Sequence, residues 1–330
     1  MNILCSIHLY PPQHLCGAEM MIHHINKYLQ SKGHTVKVLV HQANQHKIES
    51  HYVYDGIDVF PPDQYTTMSL FMQADVVMTH LDYSTWTVQM GSIFKKPVVH
   101  LVHNTYAYAC IKDAGKPQYV VYNSEWTKNT LQYNHESMVL YPSCDYRHYD
   151  TNIKPVKNEY ITLINLDENK GGFILKEIAK LMPDRKFIGV KGSYSEPIKI
   201  GQITDQPPNV EILEKQQDIR EVYKRTRILI MPSKYESWGR TATEAMCSGI
   251  PVVCSTAAGL LENCGTAGIY VQNRDNAQEW VDAIKKLDNE KTFNAASKKA
   301  KERSRELDPQ EGLARFEQWL REKVKFKSHF

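Results

Sequence analysis

Apolar residues recur along this chain in short runs of strand length, separated by stretches where they return at helical spacing. Asn2–Ile7 is the first such run. After a loop with Pro11 and Pro12, a helical pattern opens at Gly17-Ala18-Glu19. Met20, Ile22, His23, Ile25, Asn26 and Leu29 then fall near helical spacing, and the pattern stops at Lys32-Gly33. Further apolar runs occupy 36–40, 74–78 and 96–102. The run at 120–122 leads into Asn123-Ser124-Glu125, a helix-start signal. Strands alternating with helices predict a parallel α/β sheet, which takes ligands at the carboxyl ends of its strands.

Between 145 and 159 the chain turns polar around Pro142 and Pro155, and the periodicity lapses. It restarts with Tyr160–Ile164, a helix over Gly172–Leu181 and Lys186–Val190, followed by apolar runs at 228–231, 251–254 and 268–271. The expected organisation is two Rossmann-like α/β domains, 1–150 and 151–309, facing each other across a cleft. A last amphipathic helix within 310–330 carries Leu313, Phe316 and Leu320 on one face and is placed to pack back toward the first domain. A cleft between two such halves is the default ligand site.

Composition changes this picture little. With 42% hydrophobic and 23% charged residues, the chain has the profile of a soluble globular protein. No stretch reaches the roughly 18 apolar residues of a membrane span, and 1–10 does not read as a signal peptide. The seven cysteines are scattered without a C-x-x-C pair, so free thiols in a cytoplasmic protein are expected. The net charge of +3 lies in the second half, where thirty Lys/Arg face twenty-five Asp/Glu; residues 1–150 carry ten against twelve. Thirteen of fourteen histidines lie in 1–150, but no spacing matches a metal motif, and no metal or cofactor is expected.

The segment richest in chemistry is 231–253. A strand ends at Pro232, a polar turn follows, and a helix begins near Gly239-Arg240-Thr241. Free N–H groups at a helix start attract anions, and Arg240 adds positive charge. Glu236 precedes the helix and Glu244 lies about one turn into it. Each carboxylate can accept a pair of hydroxyl hydrogen bonds. Taken singly, Glu236 reads more readily as a solvated loop residue and Glu244 as a partner of the helix dipole.

Glu236 and Glu244, followed by Ala245-Met246, Gly249 and Pro251-Val252-Val253, resemble the signature of family 4 retaining glycosyltransferases, enzymes of the GT-B fold that use nucleotide diphosphate sugars. The resemblance runs in order along most of the chain. It takes in Gly17-Ala18-Glu19, His103 at a strand end, Asn123 to Trp126, Lys170-Gly171, Gly192, and the stretch 209–213 with Tyr223. It implies that Gly17 lets the backbone approach the donor diphosphate and that Lys170 neutralises the leaving phosphate. Gly192 falls at the glycine after the next strand and joins the donor set. It implies that Glu236 holds sugar hydroxyls, while Ser237, Trp238, Gly239, Arg240 and Thr241 line the donor site with backbone donors. Glu244 would hold the ribose, and His103 would touch the transferred sugar. The first domain would take the acceptor and the second the donor.

The chain departs from the family at Asn165, where an Arg is usual, and at Asn104, where an acidic residue is common. Arg240 is a candidate replacement for the missing cation. The acceptor is left open among a glycan, a lipid-linked glycan, a small molecule and a modified nucleic acid. Lys112, Lys116 and Lys128 keep the last in view, although the acidic balance of 1–150 opposes it. Peripheral membrane attachment, a sugar phosphorylase and a non-catalytic sugar-nucleotide binder are the remaining rivals. Tyr106 and Tyr108 read either as a stacking surface for an acceptor sugar or as core. The chain contains no Asp-x-Asp, so activity without a divalent metal is expected.

Overall fold

The computed structural model describes residues 1–42, 48–106, 119–192 and 206–325. The chain forms two units, Met1–Ser143 with Pro309–Phe330, and Cys144–Asp308. The first unit ends ahead of the expected boundary at 150. The reason is packing: Cys144 and Tyr149 are buried with Ala245, Met246 and Cys247 of the second unit.

In the first unit, eight strands form one sheet. They are β1 (Asn2–Ile7), β2 (Thr35–Val40), β3 (Tyr52–Tyr54), β4 (Ile57–Phe60), β5 (Val76–His80), β6 (Val98–Val102), β7 (Tyr119–Tyr122) and β8 (Glu136–Val139). Their order is β3-β4-β2-β1-β5-β6-β7-β8. All neighbours are parallel except β3 and β4. Helices α1 (Gly17–Ser31), α2 (Gln64–Gln73), α3 (Ser84–Ile93) and α4 (Glu125–Leu131) connect them. Side chains alternate across a strand, so β1 feeds two layers. Ile3, Cys5 and Ile7 join Met21, Ile22, Ile25 and Leu29 of α1, with Leu313, Phe316 and Leu320 of the C-terminal helix Pro309–Lys325. Leu4 joins Phe71 and Val88 on the other face. Burial of both faces explains why the strand reads as a continuous apolar run.

The second unit has six strands: β9 (Tyr160–Ile164), β10 (Lys186–Val190), β11 (Val210–Leu213), β12 (Thr226–Met231), β13 (Val252–Ser255) and β14 (Ile269–Val271). They are ordered β11-β10-β9-β12-β13-β14 and all parallel. Its helices are α5 (Tyr146–Tyr149), α6 (Gly172–Leu181), α7 (Arg220–Tyr223), α8 (Arg240–Cys247), α9 (Ala258–Cys264), α10 (Ala277–Lys286) and α11 (Glu290–Glu306). Each sheet reverses its winding beside its first strand, between β1 and β5 in one unit and between β9 and β12 in the other. Such switch points open a crevice at the carboxyl ends of the strands. Among the described residues, no helix is long and apolar enough to cross a membrane.

One strand residue makes the first unit acid-sensitive. His100 on β6 is fully buried, and neither ring nitrogen has a hydrogen-bond partner among the described residues. Burial pushes its pKa down from the ordinary 6.5 to about 3. Burial likewise lowers His41, which stacks on Tyr83, to about 4. A depressed histidine leaves the unfolded chain binding more protons, so its contribution is complete above about pH 6.5 and is lost as pH falls below that. For His100 the loss at pH 5 is about 2 kcal/mol, and His41 acts in the same direction. The urea midpoint of the full chain should therefore drop between pH 7 and pH 5. An unchanged midpoint would show that His100 gains a partner when protonated.

Candidate functional site

The loops after β9 and β12 bring Lys170 and Glu236 together at the switch point of the second unit. Asp167 accepts from the Asn169 N–H at 2.7 Å and starts a single 3-10 turn that ends at Lys170. Lys170 Nζ lies 2.5 Å from Glu236 Oε1, which also accepts from Ser233 Oγ at 3.2 Å. The Glu236 side chain is about one-tenth exposed and that of Lys170 about one-third. This proximity depends on Gly171, whose φ is +92°. A Cβ there would stand 2.4 Å from Pro232 Cγ and 2.7 Å from the Pro232 carbonyl oxygen, so only glycine lets the two loops touch. Lys234 N–H donates to the Asn169 carbonyl at 2.7 Å and ties the loops again.

Asn165 explains its own departure from the family. It takes φ +74°, donates its N–H to the Val190 carbonyl at 2.9 Å, and its Oδ1 accepts from the Asp167 N–H at 3.0 Å. Asparagine tolerates this left-handed turn. Gly192 packs against its side chain, with a hypothetical Cβ only 2.2 Å from Asn165 Oδ1.

Gly239, at φ +86°, turns the chain into α8, and no side chain caps that helix start. Uncapped N–H groups there are available to an anion. Thr241 is in the first turn, and Glu244 is buried one turn on. Here the structure differs from the sequence reading of Arg240 as a free phosphate cation. Its Nε stands 3.1 Å from Glu244 Oε1, its Nη2 donates to Tyr149 Oη at 2.8 Å, and only 12% of the side chain is exposed. Arg240 is thus committed within the unit, because Glu244 four residues on shares its helical face. Tyr223 Oη donates to Glu244 Oε2 at 2.9 Å. An ionised carboxylate has about four acceptor sites, so both oxygens of Glu244 retain capacity for a ligand. Trp238 is 2% exposed and its side chain belongs to the core. Only its backbone faces the turn, beside that of the half-buried Ser237.

In the first unit, Gly17 begins α1, where the preceding Cys16 makes no side-chain capping hydrogen bond, and a Cβ added to Gly17 would meet nothing within 4 Å. His103 follows β6. Its Nε2 lies 3.0 Å from His80 Nδ1, and its carbonyl accepts from Asn123 Nδ2 at 2.9 Å. Burial lowers the His103 pKa to about 4, so the ring is neutral at neutral pH. His8 Nε2 is 3.0 Å from Glu19 Oε1, and both side chains are buried. Tyr106 is 40% exposed, which makes it surface and not core. Tyr108, Lys112 and Lys116 lie outside the described residues; Lys128 is half-buried on α4.

Sequence reasoning missed three supports of this arrangement. Arg274 donates from Nε to the Pro232 carbonyl at 2.7 Å and from Nη2 to the Glu168 carbonyl at 3.1 Å, clamping the two loops that carry Lys170 and Glu236. Gly259 of α9 presses on the loop backbone, where a Cβ would fall 2.3 Å from Ser237 C. His80 was passed over because its partners lie more than twenty residues away.

Residues 162–290 match the family model described as glycosyl transferases group 1. This segment is a group 1 glycosyl transferase domain. The domain contains Lys170, Glu236 and Glu244, whereas Gly17 and His103 lie outside the match. The chain is also similar to D-inositol 3-phosphate glycosyltransferase from Corynebacterium kroppenstedtii, 41% identical over 73 residues. That match covers 22% of this chain and 16% of the relative, so it speaks for a small part of either. Solved structures extend the likeness to the whole chain. A glycosyltransferase from Rickettsia africae matches with a TM-score of 0.78 at 15% identity, over 99% of both chains. HepE from Anabaena, in complex with UDP and glucose, matches with a TM-score of 0.78 at 17% identity, over 98% of this chain and 99% of that one. The chain has the GT-B fold.

Proposed function

We propose that this protein is a retaining glycosyltransferase that moves a hexose or related sugar from a nucleotide diphosphate sugar to an acceptor hydroxyl. The observation that carries the reading is the Lys170–Glu236 pair beside the uncapped start of α8, in the unit that holds the group 1 domain. HepE in complex with UDP-glucose, a protein of the same fold, supports a nucleotide sugar as the donor. In this reading the second unit binds the donor. The diphosphate meets the N–H groups at α8 and the Lys170 ammonium. Glu236 then exchanges its lysine partner for sugar hydroxyls, Ser237 to Thr241 supply backbone donors, Gly192 borders the site, and Glu244 takes the ribose hydroxyls. The first unit binds the acceptor, with neutral His103 beside the transferred sugar, while Gly17 at its helix start lets the backbone approach the donor diphosphate.

The bond from the anomeric carbon to the diphosphate oxygen breaks as the acceptor oxygen bonds the same face of that carbon. The leaving phosphate oxygen takes the acceptor proton. Negative charge grows on the leaving group, which is where fixed positive charge lowers the barrier most. A panel of nucleotide sugars, read by released nucleotide, tests the reading. Release from one donor class, raised by an acceptor hydroxyl, is the expected result. No release from any donor would leave a sugar-nucleotide binder instead.

Lys170 and the two helix starts neutralise the diphosphate without an ion. Transfer should accordingly proceed at full rate without added magnesium or manganese and after treatment with excess chelator. Activity lost to chelator and restored by magnesium would show that Asn165, in place of a second cation, has made the metal necessary.

A further inference from the structure

The winding reversal in the sheet of the first unit carries a side-chain cluster that the transfer reaction does not use. His8 follows β1, Glu19 lies in the first turn of α1, and His80 closes β5. Each offers one ligand atom, these atoms all lie within 4.8 Å of one another, and all three residues are buried. We propose that His8, Glu19 and His80 form a binding site for one zinc-class divalent ion.

The donor set selects the ion. Two imidazoles and one carboxylate suit zinc and its neighbours, and three protein ligands leave a fourth position for water. Ligands about 2.0–2.2 Å from a tetrahedral ion stand about 3.3–3.6 Å apart. His8 Nε2 and Glu19 Oε1, at 3.0 Å, are already near that spacing. His80 supplies the independent observation. Its Nδ1 is engaged by His103 Nε2 at 3.0 Å, and its Nε2, fully buried, has no hydrogen-bond partner among the described residues. A buried nitrogen left in that state is destabilising, and an ion would satisfy it. A histidine ligand held through its other nitrogen is also the ordinary arrangement around a bound metal, with His103 here as the outer partner. A second set, His14, Cys16 and Glu19, shares the carboxylate. Its Cys16 is only half-buried, whereas His8, Glu19 and His80 are all buried. The ligands come from positions 8, 19 and 80, which is why no sequence spacing announces the site.

The site is tested with zinc alone and no nucleotide sugar, so its failure is separate from failure of the transferase reading. Full-length protein stripped of metal is titrated with zinc against a chromophoric chelator. One ion per chain is expected, with affinity falling at least about 100-fold in His80→Gln and about 10–100-fold in His103→Asn. Zinc should raise the thermal midpoint of the wild type but not that of His80→Gln. Should His80→Gln fail to fold, Glu19→Gln is read in the same way. The proposal is overturned if the wild type cannot hold zinc against the chelator. It is equally overturned if a folded His80→Gln binds as tightly as wild type, or if Cys16→Ser alone abolishes binding.

Discussion

Replacing Lys170 with methionine is expected to lower turnover about 10²–10³-fold, the usual consequence of removing one preorganised partner of a developing charge. The ammonium sits at the switch point of the group 1 domain, 2.5 Å from Glu236, at the end of a loop clamped by Gly171 and Arg274. Methionine keeps the length and apolar stem of the side chain but carries no charge. Two mechanisms would slow the variant, and they are separable. One is loss of the cation that meets the leaving phosphate. The other is a stranded Glu236 carboxylate, only about one-tenth exposed. Lys170→Met combined with Glu236→Gln removes the stranded charge, so a cycle of the two single variants and the double apportions the loss. Recovery of turnover in the double variant would assign the whole effect to Glu236. Turnover within threefold of wild type in Lys170→Met would remove the lysine from the reaction.

How far this site could be read in advance depended on whether its parts are local in sequence. Tyr160–Ile164, Gly172–Leu181 and Lys186–Val190 have the bounds that periodicity assigned them, because a strand buried on both faces and an amphipathic helix announce themselves within a few residues. The short strands β3 and β4, at one end of the sheet, went unread although Asp55-Gly56 between them is a hairpin signal; Asp55 and Gly56 take φ +47° and +75°. At three and four residues, these strands are too short for alternation to register. Glu236, Gly239 and Glu244 lie within nine residues of one another, so their grouping was visible. Contacts that close over long stretches of chain were not: Lys170 with Glu236, Arg274 with Pro232 and His80 with His103. Arg240 shows the opposite failure. Its charge and its helical neighbour Glu244 were legible, but its second partner, Tyr149, depends on how α5 packs on α8.

That packing makes Glu244→Gln the more consequential of the carboxylate changes, with two separate expected effects. The first concerns stability. An amide keeps the acceptor for Tyr223 but offers Arg240 no charge, and it can turn an N–H donor toward a guanidinium that itself only donates. Arg240 would then remain about nine-tenths buried, still donating to Tyr149 Oη but without its carboxylate partner. Breaking one side of a buried ion pair costs about 3–5 kcal/mol, enough to move the urea midpoint of the full chain visibly. The second effect concerns binding. If Glu244 accepts ribose hydroxyls, the folded variant should bind the nucleotide diphosphate about 10–100-fold more weakly, the range for one or more hydrogen bonds to a charged group. Tyr223→Phe separates the two effects. It removes the 2.9 Å hydrogen bond to Oε2 and leaves the carboxylate charge intact. This variant should lose some stability yet keep most of its nucleotide affinity. Calorimetry at a temperature where all three proteins are folded reads the second effect alone. If Glu244→Gln is destabilised but binds the nucleotide as well as wild type does, Glu244 serves only to hold Arg240, and the ribose must be recognised by other groups.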